Sequence, residues 1–368
     1  MSNVSEHRTI PDPYAPIVAA AMERRVFPGA VVLVAREGVV CHFAAYGSTR
    51  YHDPGSQPVT TNTRYDIASL TKAFTATAAL RLYDAGALAL DTPAAHYLPG
   101  LRASGVTVRH LLTHTSGLSL RLSSLRHLPA ADLRAAVYGV DPIHPPGTRV
   151  AYVNINSLLL GDIVAHLSGV PLDRAVTDLV LAPLGMHETC FCPPASHHPH
   201  TAPTEWDDTW RGGLVQGTVH DDSACAMGGV AGHAGLFSTA TDLWRLVQMW
   251  LDGGSAEVGP PSPHPTRLLR RETVETATRI QTAGLALPTE GVAFHCGWGW
   301  MMDHSVIMST VHAPADTYGH TGFTGPAILM VPSRRLGVVL LSNRTYPRRT
   351  APVHHEVTAA LLEAALRM

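Results

Sequence analysis

The sequence almost lacks lysine. Its basic side chains other than histidine number 27, and all but Lys72 are arginine. That scarcity costs nothing in solubility, because arginine carries surface charge as well as lysine does. It does matter for proton transfer. A guanidinium stays protonated to about pH 12 and cannot serve as a base. An ammonium loses its proton when it is desolvated or set near other cations. A bias toward arginine explains the missing lysines, but not the survivor at "SLTK", residues 69–72.

Other absences narrow the field. No apolar run reaches 18 residues, so no membrane span is expected. The opening "MSNVSEHRTIPDPYAPIVAA" has no basic segment followed by an apolar one, so no signal peptide is expected. Five cysteines, an odd number without a regular framework, fit a reducing compartment. Together these make a cytoplasmic location the expectation. A net charge of −2 gives no sign of a nucleic-acid or polyanion partner. "CFC" at Cys190–Cys192 and "HHPH" at His197–His200 lack a paired C-x-x-C or H-E-x-x-H spacing and read as a surface loop. No metal, no cofactor and no internal repeat is expected.

What is present is an ordinary globular composition, 45% hydrophobic and 15% charged, over 368 residues. Residues 13–25 read as a helix and 29–47 as a β-hairpin turning at "REG". Apolar spacing at Phe74, Ala78 and Leu82 predicts a helix after Ser69 that ends at Gly86. From about 90 to 285 the chain reads as helix, turn and loop, with short strands at most. Residues 238–254 form an amphipathic helix with Thr239 and Asp242 placed as a capping box. The Pro-rich stretch 255–266 is expected to be a mobile loop. Strands return at 296–302, 319–332 and 336–343, and a helix closes the chain. Strands at both ends with helices between imply one sheet built from both termini and an inserted helical lobe.

Ser69 and Lys72, three residues apart at a helix start, lie on one face. Free N–H groups and the helix dipole suit a nucleophile there. "AYVNINSLLLG" supplies Tyr152-Val153-Asn154, which also fits a turn tyrosine ahead of a helix. "HTG", His320-Thr321-Gly322, also fits an ordinary strand opening. Their joint order and separation are far more specific than any one of them.

On these motifs the chain resembles the serine β-lactamase and penicillin-binding-protein superfamily, in its class C branch of esterases, D-peptidases and β-lactamase-like transacylases. "YDIASLTKAFTATAALRLYDAGALALDTPAAHYLPG", "VTVRHLLTHTSGL" and "VHDDSACAMGGVAGHAGLFSTATDLWRLVQMWLDGG" extend the likeness along nearly the whole length, toward a subgroup related to penicillin-binding protein 4B. The resemblance implies an α/β (α+β) fold: an antiparallel sheet flanked by N- and C-terminal helices, plus an inserted all-α lobe. It implies a single catalytic unit over 1–368, with a sheet lobe of about 1–68 and 290–368 and a helical lobe of about 69–289.

It further implies that Ser69 is acylated and Lys72 is its base or hydrogen-bond partner. Tyr152 would move protons as phenolate or hydroxyl, and Asn154 would orient Lys72 and the substrate amide. The N–H groups of Ser69 and Phe323 would form the oxyanion hole. One departure stands out: the lactamases and many penicillin-binding proteins carry Lys-Thr-Gly where this chain has His320-Thr321-Gly322. A histidine of ordinary pKa, about 6.5, is mostly neutral above neutrality, so the pocket is expected to be less committed to carboxylate-bearing substrates.

His233, in a Gly-rich turn, either borders the site or is a loop histidine bonded to backbone. His220-Asp221-Asp222 reads as a turn or helix start, or else as a wall of the pocket. Trp298 and Trp300 alternate on an expected strand and read as packing. Three functions compete. The first is a cytoplasmic serine enzyme passing an acyl group from a small ester or amide to water or an amine. The second is a cell-wall D,D-peptidase or β-lactamase, and the third an inactive binding module.

Overall fold

The structure, a computed structural model, describes residues 12–51, 53–256, 267–288, 293–303, 313–350 and 352–368. The stretch expected to be a mobile loop lies, from 257 to 266, outside the described residues. Seven antiparallel strands form the main sheet, in the order Val39–Gly47, Gly29–Arg36, Leu336–Ser342, Ala327–Val331, Tyr318–Thr321, Met301–Met302, His295–Cys296. The N-terminal hairpin therefore pairs directly with the last strand, Ala30 opposite Ser342 and Arg36 opposite Leu336. Its turn is Glu37-Gly38, both with positive φ (53° and 80°), which matches the strand twist of a two-residue hairpin.

The three central strands are buried on both faces, and side-chain alternation splits them between two cores. Val32, Val34, Leu329, Val338 and Leu340 pack with the helices Ala15–Glu23 and His355–Leu366. Val31, Leu33, Ile328, Met330, Val339 and Leu341 join the larger core with Leu243, Leu246, Val247 and Trp250 of the Ala240–Leu251 helix. That helix begins at Thr239, whose side chain accepts from the Asp242 N–H. The expected capping box is only half formed: the Asp242 carboxylate turns instead to the Glu188 N–H and the Thr189 hydroxyl.

The Thr71–Asp84 helix is buried almost all round, as expected of an element at the centre of a large protein. It packs on the Asn154–Ser168 helix and ends as expected, with Gly86 left-handed at φ 77°. Gly161 and Gly232 let two segments meet beside it: a Cβ on Gly161 would come within 2.9 Å of the Gly232 Cα.

Two strand expectations need correction. Residues 296–302 are not one strand. They turn at Gly299, φ 81°, between His295–Cys296 and Met301–Met302. Trp298 and Trp300 sit in that turn and not on a strand, yet both are buried, Trp300 against Trp250 and Tyr318. "HTG" does not open a strand either. His320 and Thr321 close the strand Tyr318–Thr321, and the chain turns through Gly322–Gly325 before returning at Ala327.

Candidate active site

Ser69 lies in a short 3-10 turn, Ala68–Leu70, just ahead of the Thr71–Asp84 helix and not within it. Ala68 is left-handed there, with φ 45°. Buried Asp66 holds the turn: Oδ1 accepts from the Ala68 N–H at 2.8 Å and Oδ2 from the His220 N–H at 2.6 Å. The Asp66 carbonyl also accepts from the Thr324 hydroxyl at 2.8 Å. One residue thus ties the serine turn to two other walls of the site.

Lys72, one helical turn on, points back at the serine. Its Nζ lies 2.8 Å from Ser69 Oγ and 3.2 Å from the His233 carbonyl, to which it donates. Lys72 is 3% exposed. Burial pulls its pKa down to about 7, against a smaller upward pull from the Asp221 charge. Near neutrality a substantial fraction of Lys72 is therefore the free amine, able to take a proton.

Tyr152 stands over this pair. Lys72 Nζ is 4.9 Å from its ring centroid, and the rings of His114, Phe294 and His320 surround it at 4.8, 5.6 and 6.0 Å. Its hydroxyl is buried and makes no hydrogen bond among the described residues. Burial pushes the phenol well above its ordinary value, with Ser69 offsetting a little. The resting residue is the neutral phenol, so of the two forms expected from the sequence the geometry favours the hydroxyl over the phenolate. His114, held to Asn156 at 3.2 Å, is kept neutral: burial and then the Lys72 charge lower it to about 3.

Ser69, Tyr152, Asn154, Thr321, Gly322 and Phe323 line one cavity of about 380 Å3, together with Asp221 and Arg344. A larger cleft, about 820 Å3 around Arg50, Arg64 and Glu188, is lined by His197 and His200 but by none of the residues given a catalytic or substrate-binding role from the sequence. The N–H groups of Ser69 and Phe323 both face a role as donors, since neither bonds a described residue. Gly322 is required by closeness: a Cβ there would lie 2.6 Å from the Ile67 carbonyl, beside the serine turn.

Three expectations change. Asn154, the first residue of the Asn154–Ser168 helix, lines the cavity but does not orient Lys72, whose second bond goes to the His233 carbonyl. His233 is fully buried and does not border the cavity. Its ring bonds Ser223 Oγ at 3.0 Å and Asp221 Oδ1 at 3.2 Å, neither of them backbone. His320 is buried behind the wall, its Nδ1 2.9 Å from the Thr321 carbonyl. The histidine does not leave the pocket without a permanent cation, because Arg344 lines it. Arg344 Nε donates to the Phe323 carbonyl at 2.7 Å, and its guanidinium lies 4.6 Å from the Phe323 ring centre.

Asp66, His114 and Arg344 were not assigned roles from the sequence. Asp221 was read only as part of "HDD", as a turn or helix start or as a wall of the pocket. It does both things proposed for that segment, capping the Asp222–Ala226 helix and lining the cavity. The "CFC" and "HHPH" stretch is not a plain surface loop: Cys190–Phe191 is a short strand paired with Leu236–Ser238 and Ala195–His200 is a 3-10 helix, while Cys192 Sγ donates to the Gly228 carbonyl and His198 Nε2 lies 3.1 Å from the Pro193 carbonyl.

Known proteins resemble this chain in sequence and in fold. An Escherichia coli (strain K12) relative, provisionally named a D-alanyl-D-alanine carboxypeptidase, is 31% identical over 365 residues, 87% of this chain and 79% of its own. A solved class C β-lactamase in complex with cefoxitin superposes with a TM-score of 0.73 at 25% identity, covering 97% of this chain and 98% of its own. EstCE1, described as a hydrolase with promiscuous acyltransferase activity, shares the fold at a TM-score of 0.74 and 20% identity, covering 96% and 97%. Residues 15–363 match the Beta-lactamase family profile, so this chain belongs to the Beta-lactamase family, as a serine hydrolase of the class C β-lactamase fold.

Proposed function

We propose that the protein is an acyl-enzyme catalyst that takes an acyl group from a small ester or amide onto Ser69 and passes it to an amine or to water. The observation that carries this is Lys72: buried, 2.8 Å from Ser69 Oγ, and with a pKa of about 7. A base poised near the working pH is what general-base catalysis of serine attack requires. The cavity of about 380 Å3 suits a small molecule more than a long polymer.

In this reading Lys72 Nζ accepts the Ser69 hydroxyl proton as Oγ attacks the carbonyl carbon. The resulting ammonium keeps its hydrogen bond to the His233 carbonyl. The carbonyl oxygen, now negative, is held by the N–H groups of Ser69 and Phe323, worth about 3 kcal/mol per donor in comparable sites. As the intermediate collapses, the proton passes from Lys72, through the neutral Tyr152 hydroxyl, to the departing oxygen or nitrogen. The acceptor then attacks the acyl-enzyme, gives its proton to Lys72, and Ser69 is released with its proton restored. No ATP is consumed, because the donor ester already carries the acyl group in activated form. The shared fold with EstCE1, a hydrolase with promiscuous acyltransferase activity, fits transfer as well as hydrolysis.

A second reading, D-peptidase action, is favoured by one specific feature, the Arg344 cation on the cavity wall, and by the provisional name of the Escherichia coli relative. The test compares a nitrophenyl ester with a D-Ala-D-Ala peptide, each with and without added amines. Ester turnover with amide formation supports acyl transfer. Preferred release of D-alanine supports the peptidase. Turnover of neither, with no adduct on Ser69, refutes both.

A further inference from the structure

Asp221 is held in an unusual way. Its Oδ1 takes every hydrogen bond that the carboxylate makes among the described residues: Ser223 Oγ at 2.6 Å, the Ala224 N–H at 2.8 Å, and His233 Nε2 at 3.2 Å. Its Oδ2 takes none, and it is not sealed from solvent, since the side chain keeps 26% of its exposure. The residue lines the same cavity as Ser69 and Tyr152. One oxygen is thus anchored by the scaffold, and the carboxylate is left with accepting capacity at the wall of the site.

The hydrogen bonds of Lys72, which feels the Asp221 charge, and of Arg344, which lines the same cavity, are made elsewhere. Lys72 Nζ is committed to Ser69 Oγ and the His233 carbonyl. Arg344 reaches the Phe323 and Pro352 carbonyls. Burial opposes ionisation of Asp221, but His233, Ser223 and the Ala224 N–H together hold its carboxyl far below the usual range. The charge is therefore permanent near neutrality, and its carrier is rigid. A fixed, partly desolvated anion with spare acceptor capacity is a poor wall for a neutral or anionic ligand and a good one for a hydrogen-bonding cation.

We propose that Asp221 Oδ2 is the recognition point for a primary ammonium group on the small molecule that enters the cavity, whether that group belongs to the acyl donor or to the acceptor. The inference rests on the reading of Ser69 as the acylated nucleophile, and it names the substrate class for that site. Asp221 is a specificity residue here; it exchanges no proton with the reacting atoms.

Two matched pairs test it. The donors are the p-nitrophenyl esters of aminohexanoate and of heptanoate, equal in length and differing by ammonium against methyl. The acceptors are diaminopentane and hexylamine. Each ratio of kcat/KM cancels whatever Asp221 does to Lys72, because both members of a pair use the same base. Wild type should favour the ammonium member of at least one pair by about tenfold or more, and Asp221→Asn should bring that ratio to about one. The pair that responds identifies donor or acceptor as the bearer. Ratios near one in wild type for both pairs, or a preference that survives in Asp221→Asn, overturn the proposal.

If Asp221→Asn fails to fold, the salt dependence of the wild-type ratio decides. A charge-based preference falls as ionic strength rises, and an unchanged ratio counts against the proposal. If no ester is turned over, the acyl-enzyme reading has failed by itself. Isothermal titration of hexylamine against hexanol into wild type then judges Asp221 alone, with tighter amine binding expected and equal binding overturning it.

Discussion

Lys72 Nζ lies 2.8 Å from Ser69 Oγ and 4.9 Å from the centre of the Tyr152 ring, so the single lysine is wedged between the nucleophile and an aromatic face. The ring helps exclude water from the amine, and that exclusion lowers its pKa. The position calls for a cation that can cease to be one.

Lys72→Arg should therefore be nearly as inactive as Lys72→Ala. Both should lose at least about a hundredfold in acylation rate, the usual worth of a positioned general base. Stopped-flow release of nitrophenol from an ester reads this directly. An arginine variant with most of the wild-type burst would mean that Lys72 serves as a fixed charge.

Ser69→Ala should abolish the covalent adduct with a fluorophosphonate while leaving the thermal melt unchanged, because Ser69 is small and only half-buried, and its Oγ bonds Lys72. Intact-mass spectrometry would show an adduct on wild type alone. An adduct of equal yield on the variant would remove Ser69 from the chemistry.

The acylation rate should rise with pH through a single step centred near 7, as Lys72 loses its proton. The neighbouring phenol adds no step in this range, since burial raises Tyr152 well above its ordinary value. Asp221 pulls the Lys72 pKa upward, so Asp221→Asn should move the step to lower pH. A pH–rate profile that is flat from 6 to 8, two values chosen as about one unit either side of that midpoint, would contradict the assignment. A step moved upward by Asp221→Asn would contradict the sign.

Arg344→Met should lower kcat for every substrate by about tenfold or more, with KM changed less. Arg344 Nε holds the carbonyl of Phe323, whose N–H is one of the two oxyanion donors. If instead KM rises only for carboxylate-bearing substrates, Arg344 acts as an anion contact and the peptidase reading gains.

Gly299→Ala should destabilise the fold by about 2 kcal/mol or more, because a side chain there is both left-handed and overpacked. The φ is 81° and the new Cβ would lie 2.3 Å from Ala76 Cβ, on the helix that carries Lys72. Urea denaturation measures the loss, and an unchanged midpoint would mean that the helix yields without cost.

The sequence by itself determined the elements whose signal is local. The hairpin 29–47, the helix after Ser69 with its stop at Gly86, and the closing helix all follow from period and turn chemistry, and each is where expected. The Ser69–Lys72 contact was legible for the same reason, since residues three apart are neighbours along a helical turn, and this holds although Ser69 lies in the 3-10 turn that leads into the helix. Tyr152 and the "HTG" segment were found through joint motif order, not through any local rule.

Only the tertiary structure decided what depends on distant chain segments meeting. Arg344 follows the strand Leu336–Ser342, and nothing near it in sequence says that the sheet order brings it to Phe323. The Lys72 partner is a carbonyl 161 residues away, at His233, rather than Asn154. The turn at Gly299 depends on a close approach to Ala76, which no strand periodicity encodes. The hydrogen bonds at Asp221 come from three groups in two segments: Ser223 and Ala224 are local, but the His233 bond and the burial exist only once the chain has closed around them.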